Sequence, residues 1–523
     1  MPREYFHVND FRGGMNVDTA AELLAANELV LADNCDLDRL GAITKRPGAD
    51  VMNMEAYAQK ITQVIEWVRS NGTVTLLAVS SDDTTYAINK VDEDTGALTL
   101  IRAVASPKVG WCALNVGGSD RLYFVDGSEL YVYDGTTCEA VTPNAAADND
   151  LTPIRKCKWL VYNPRSYRIY AAGNPDAASR LYYSEANDIT YFKNTSFLVP
   201  TGSDGPVTAL AVFAHALLVF YSDSLRAWKG TDPTDATWTA VPVPYGTNAP
   251  DTVCLTPNSL TWLSRSGLIC LNPAILDYNL TMLPGEELVT DISRGKVSSL
   301  VRGIKSHATC CAIYDTLRNR YLLAYTEMAQ RKMLVLNWEL KAYTRYTGLG
   351  ANCLCARKSG DIAFGSDGHI GVIRAEPIYV GVDCWGVDNE FSLVLTPIKL
   401  DVHTGWSNLQ RPMMKKRLHK LFIVGHSENT ADSHLGVKIK SVGSSTNDLG
   451  NVIFSIQGMS WGDAWGGMWP ASELQTVELR ARTEGERFQL MLTNAEAGAS
   501  ISIYGYLYEY ALKHKPKGMK ANG

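Results

Sequence analysis

Seven apolar and aromatic hairpins, recurring at steps of roughly 45 residues, constrain this chain more than any other feature of it. They are "TLLAVSSDDTTYAINKV" (75–91), "RLYFVDGSELYVYDG" (121–135), "RIYAAGNPDAASRLYYSEA" (168–186), "LLVFYSDSLRAWKG" (217–230), "SLTWLSRSGLICLNP" (259–273), "RYLLAYTEMAQRKMLVLNWE" (320–339) and "DIAFGSDGHIGVIRA" (361–375). Each breaks at a short polar turn and then resumes its apolar and aromatic pattern. The turn centres fall near Asp82, Gly127, Asp176, Asp223, Ser266, Ala329 and Gly368. Such a step is the length of one four-stranded propeller blade, whereas sandwich turns recur every ~8–12 residues. The pattern predicts an all-β protein with a β-propeller of six or seven blades over residues 55–385. A large sandwich rich in hairpins is the competing arrangement, and neither a WD nor a kelch signature marks the repeats.

Near residue 385 the texture changes. Cleanly alternating stretches such as "DNEFSLVLTPIKLDV" (388–402), "KKRLHKLFIVGHS" (415–427) and "LGVKIKSVG" (435–443) predict a separate antiparallel β-sandwich, a platform domain over 386–512, followed by a basic tail at 513–523. In the run "MMKKRLHK" (413–420), strand alternation points Lys416, Leu418 and Lys420 one way and Arg417, His419 and Leu421 the other. The Gly-rich "MSWGDAWGGMWP" (459–470) carries Trp461, Trp465 and Trp469, either as a local apolar cluster or as a contact site for another chain.

Residues 1–54 form an N-terminal arm. Within it "DTAAELLAANELVLAD" (18–33) is the best helix candidate, capped by Asp18 or Thr19 with Glu22 as capping-box partner. The next segment, "NCDLDRLGAITKRPGADVM" (34–52), reads as a strand to Leu37, a turn over 38–41, a strand over 42–44 and a stop at Lys45-Arg46-Pro47-Gly48. Pro47 lacks an N–H for the ladder, and Gly48 is expected to take a positive φ.

Composition matters here for what it excludes. With 46% hydrophobic and 20% charged residues the chain can bury a large core. The longest apolar run (210–221) is shorter than a bilayer span, and the first residues lack the apolar stretch of a secretory signal, so no membrane insertion is expected and the N-x-[ST] matches are chance. A formal charge of −6 argues against a surface that grips DNA by its phosphates. The eleven cysteines lack zinc-site spacing and read as buried reduced thiols. "DLDRLG" imitates the start of a calcium loop but has Leu40 where an oxygen ligand belongs. His426 and His434 flank Asp432 without a further ligand pattern, and no metal or cofactor is expected. No nucleotide loop, metalloprotease helix or nucleophile elbow occurs, and Asp82-Asp83, Glu93-Asp94 and Glu286-Glu287 sit in turn-like contexts. The chain is therefore expected not to be an enzyme, although a propeller can gather glycosidase carboxylates around its channel without any sequence spacing to show it.

The order "FRGGMN" (11–16), an Ala/Leu helix, "LADNCDLDRLGAITKRPG" (31–48), a propeller containing "RLYYSEANDITYF" (180–192) and "SLTWLSRSGLICL" (259–271), and a terminal "IYGYLYEYALKHKPKG" (503–518) resembles bacteriophage tail proteins of the nozzle and hub type, the tail tubular protein B and packaged-DNA stabilisation families. The resemblance implies a virion tail protein assembled in the host cytoplasm. Its ring would be a homohexamer below the portal and adaptor proteins, in contact with tail fibres or tip proteins, with viral DNA passing through unread. It places Asn34, Gly41, Lys45, Arg46, Pro47 and Gly48 at a platform or subunit interface, with Lys45 and Arg46 reaching a neighbour. Six copies at −6 each carry −36, a sign that lets DNA slide. Trp238 and Tyr245, in the Pro-rich stretch 232–251, are candidates for closing the channel. The alternative is a propeller-fold tail protein that binds a receptor or hydrolyses glycan.

Overall fold

The computed structural model describes residues 2–199, 205–214, 216–229, 232–233, 239–272, 289–387, 392–428, 432–442, 446–455 and 474–513. Trp238, Trp461, Trp465, Trp469 and most of the basic tail lie outside them.

The seven hairpins occupy equivalent places. Six four-stranded antiparallel sheets stand as discrete blades, beginning at Lys60–Val68, Gly110–Val116, Trp159–Asn163, Ala209–Phe213, Cys254–Thr256 and Cys353–Ala356. A further four-stranded meander, Cys311–Asp315, Arg320–Glu327, Gln330–Asn337 and Ala342–Thr347, fits between the last two, its first strand packing against those on both sides. It is not discrete, because Ala342–Thr347 continues into the platform. In every unit the turn read from sequence joins the second strand to the third. Blade faces then pack on their neighbours; Ile65, Trp67 and Leu77 of the first meet Leu122, Phe124 and Tyr133 of the second. Closure is supplied from outside the repeat: Asp50–Val51 forms the outer strand of the last blade, beside Ile370–Ile373.

Two sheets make the platform. In one, Cys35–Leu37, Ile43–Lys45, Ile501–Leu512, Lys416–Ser427 and Gln475–Arg480 lie side by side, with Glu4–Val8 also pairing Ile501–Leu512. The other runs Glu28–Asp33, Leu400–Thr404, Phe488–Asn494, Ser433–Ser441 and Asn447–Phe454. Leu421, Ile423 and Ile503 of the first share one buried cluster with Val402, Val437 and Leu492 of the second. Each fully buried side chain of that size contributes roughly 1.5–3 kcal/mol.

Several expectations are corrected. Residues 18–27 form turns and bends and Glu28–Asp33 a strand, so the helix expected over 18–33 is absent; among the described residues the α-helices are the short Thr152–Arg155 and Ser298–Arg302. Asp18 nevertheless caps a helix, a distant one, its carboxylate accepting the Ser298 and Ser299 N–H groups at 2.9 and 2.7 Å. Good helix propensity loses here because Leu29 and Ala32 are buried by sheet pairing that a helix could not make. The expected alternation at 416–421 breaks at a bulge between Leu418 and Lys420, which turns both Leu418 and Leu421 inward. Lys416 is buried, donating to the carbonyls of Met414 and Glu486 at 2.8 and 2.6 Å. Part of the stretch 232–251 is not loop: Thr239–Pro244 is the outermost strand of the fourth blade.

Candidate functional site

The segment 34–48 lies where propeller and platform meet. Its hairpin pairs Cys35–Leu37 with Ile43–Lys45, and the latter continues the platform sheet through Ile43↔Ile503 and Thr44↔Ser502. The turn works because Gly41, at φ 87°, supplies the left-handed residue. Gly48 does not have a positive φ, which corrects the expectation. It is required for space, since a Cβ there would stand 2.2 Å from the Val382 carbonyl oxygen and 2.5 Å from that of Tyr379.

The charged residues turn inward. Lys45 and Arg46 are 4% and 2% exposed, so neither reaches a neighbouring subunit. Lys45 Nζ donates to Asn494 Oδ1 at 2.8 Å and to the Glu496 carbonyl at 2.9 Å, both in the platform. Burial, with the adjacent Arg46 cation adding, pushes its pKa down to about 8. Arg46 binds both oxygens of Asp383 and donates Nε to Asn34 Oδ1 at 3.0 Å. Asn34, itself at φ 55°, receives the Thr347 N–H at 2.8 Å and donates to Thr347 Oγ1 and the Lys399 carbonyl. The Tyr346 ring lies 5.6 Å from the Arg46 guanidinium, and its hydroxyl donates to Asp36, which is also paired with Arg320. Beside this, Arg345 holds Asp33 through two contacts of 2.7 and 2.9 Å. The effect is a buried polar weld in which the N-terminal hairpin, one blade and the 383 strand share hydrogen bonds. The sequence analysis did not anticipate Asp383, Tyr346, Asp36 or Arg320: Asp36 lies on the same hairpin, but the other three lie hundreds of residues from Arg46, with no local pattern joining them.

The propeller channel has a cavity of about 280 Å³, reached by Glu66, Lys108, Trp111, Asp251, Cys311 and Cys353. Its polar groups are mutually engaged. Lys108 pairs with Asp251; burial opposes the lysine charge, and Asp251 more than restores it. Glu66 accepts the Lys358 N–H at 2.7 Å and faces Arg357 at 3.4 Å. Gln63 clamps the neighbouring blade through the Val109 N–H and carbonyl. Trp111 is about one-third exposed, 36%. Tyr245 follows the outermost strand of its blade, its carbonyl accepting from Trp262 Nε1 at 3.2 Å.

The two imidazoles singled out for a metal pair with different carboxylates, His426 with Glu428 at 3.1 Å and His434 with Glu496 at 2.6 Å. Among the described residues no group of three His, Cys, Asp or Glu is placed to hold a metal ion, and no helix is long and apolar enough to cross a membrane.

No family model matches the sequence, and neither does any curated protein. Solved structures do resemble the fold. An exo-β-1,3-galactanase from Phanerochaete chrysosporium is 9% identical, with 86% of this chain and 100% of that one covered and a TM-score of 0.28. The extracellular domain of a one-component system from B. thetaiotaomicron is 9% identical, covering 87% of this chain and 63% of that one at a TM-score of 0.41. These neighbours correct one expectation: with galactanases among them, the reading of the chain as a non-enzyme is withdrawn. At such scores the likeness carries no activity over to this chain.

Proposed function

We propose that this chain is a subunit of a bacteriophage tail, a nozzle or hub protein forming a ring of six around the DNA path below the portal and adaptor. The observation that carries this reading is the weld at residues 34–48. One continuous segment builds the platform through Ile43–Lys45 and closes the last blade through Asp50–Val51, with Arg46 buried between them. A ring subunit that withstands DNA pressure needs its two domains joined as one body, and buried, fully hydrogen-bonded charge pairs fix geometry in this way. The ordered stretches from "FRGGMN" to "IYGYLYEYALKHKPKG" support the same family. The net negative charge supports passage of DNA without capture. Its partners on this reading are further copies of itself, portal and adaptor rings, and fibre or tip proteins. Electron microscopy of the chain mixed with candidate portal–adaptor rings tests it: six-fold density added below the adaptor is expected, and bare adaptor rings would count against it.

A second reading, a propeller that binds or cleaves glycan, is favoured by one feature: Glu66, Asp251 and Trp111 converge on the channel cavity. Two carboxylates beside an aromatic wall are the groups glycoside hydrolysis uses. Release of sugar from a polysaccharide panel, abolished by Glu66→Gln or Asp251→Asn, would establish it in place of the first reading.

A further inference from the structure

The turns over 20–26, which replace the expected helix, do more than connect strands. They wall a cavity of about 230 Å³ on the platform, remote in sequence from the propeller channel. Phe6, Trp406 and Tyr506 provide aromatic walls, and Glu22, Asn408 and Gln410 stand among the lining residues. The turn and the Trp406 loop are pressed together, the Trp406 N–H donating to the Ala21 carbonyl at 2.8 Å. A Cβ on Gly405 would lie 3.0 Å from that same oxygen.

Two observations set this cavity apart. The first is strain: Leu409 and Gln410 are consecutive left-handed residues, at φ 50° and 59°, neither of them glycine. They are held by the full burial of Leu409 and by the Tyr510 hydroxyl, which donates to the Leu409 carbonyl at 3.0 Å. Strain of this kind persists where surrounding structure enforces it, and it clusters at ligand-binding sites. The second is the polar rim. Glu22, Asn408 and Gln410 are exposed side chains that form a polar rim to the aromatic walls, and Asn408 Oδ1 accepts the Gln410 N–H at 2.9 Å.

We infer that this cavity binds a neutral pyranose ring, stacked on Trp406 and hydrogen-bonded by Gln410, Asn408 and Glu22. Its volume lies below that of drug-sized pockets, which leaves space for about one ring. No lysine or arginine is among the lining residues, while the Glu22 carboxylate is, so an anion is disfavoured. A cation is disfavoured as well, because Lys440 already stands 5.7 Å from the Trp406 ring. Amide and carboxylate groups beside an aromatic wall complement a ligand with an apolar face and a rim of hydroxyls. The inference is independent of both readings above, since it uses neither the channel nor a ring of subunits.

Saturation-transfer NMR on the full chain tests it, with methyl β-glucopyranoside, methyl β-galactopyranoside, N-acetylglucosamine and choline as probes. The expected result is transfer to at least one sugar, weakened about tenfold or more by Trp406→Ala and by Gln410→Gly. Gln410→Gly should at the same time raise the melting temperature, because glycine takes that φ without strain; loss of binding in a more stable protein separates recognition from folding. Absence of transfer to all three sugars, transfer unchanged in both variants, or transfer to choline alone would overturn the inference.

Discussion

Arg46 grips both carboxylate oxygens of Asp383, at 2.8 and 2.6 Å, across 337 residues of sequence. Both side chains are almost wholly buried, 1% and 4% exposed. Removing one partner leaves the other charge uncompensated, so Arg46→Ala or Asp383→Ala should each cost about 3–5 kcal/mol of unfolding free energy. Replacing both together by Met and Leu should cost markedly less than the sum. Urea titration of the four species as a double-mutant cycle reads this directly. Additive losses would show that the pair does not act as a unit.

Gly41 and Gly48 should respond to alanine for different reasons. At Gly41 the added Cβ meets the Arg12 and Asp10 side chains at 2.6 and 2.9 Å in a left-handed backbone, whereas at Gly48 it meets two carbonyl oxygens that cannot swing aside. Both substitutions are expected to destabilise by about 1–3 kcal/mol, Gly48→Ala the more. Asn at position 41 should recover part of the loss, because Asn tolerates φ > 0; Asn at 48 should recover none. Melting temperatures of the four variants check the ordering.

Lys45 makes stability depend on alkaline pH. Its folded pKa of about 8, depressed by burial and by Arg46, lies below the unfolded value, so the unfolded chain holds the extra proton between these two values. The cost of burying the ammonium is therefore fully present below about pH 8 and is relieved as pH rises toward 10. Against a Lys45→Met control, the wild type should gain about 2 kcal/mol relative stability over that window. A flat difference between the two proteins would place the ammonium in solvent.

All eleven cysteines are free, and seven of them are buried. Burial pushes the Cys157 thiol up to about 12, and the partly exposed Cys138 to about 11. The thiolate is the reactive form, so labelling of the native chain at pH 8 should run at least about tenfold slower than in urea. Mass spectrometry after brief alkylation checks this, with Cys138 and Cys355 labelled before Cys157 and Cys112. Reducing agent should leave the melting temperature unchanged.

The propeller was legible because a blade's central hairpin is local. Asp82, Gly127 and Gly368 sit in turns between strands adjacent in sequence, and period-two patterning marks both flanks. The hairpin over 35–45 was legible for the same reason, down to its turn. Residues 18–33 misled because Ala and Leu favour a helix in isolation, while the partner that makes Glu28–Asp33 a strand is Leu400–Thr404, far along the chain. The weld around Arg46 was invisible for the same cause, every partner but Asn34, Asp36 and Pro47 being distant in sequence. The bulge that turns Leu418 and Leu421 to one face likewise depends on the strands alongside, not on the alternation of its own residues.

The measurement that bears most directly on the proposed function is the mass of the chain in solution by light scattering, alone and after mixing with portal or adaptor rings. Uptake of about six chains per ring is expected, whatever the state of the free protein. A chain that keeps its free mass beside every such ring would contradict it.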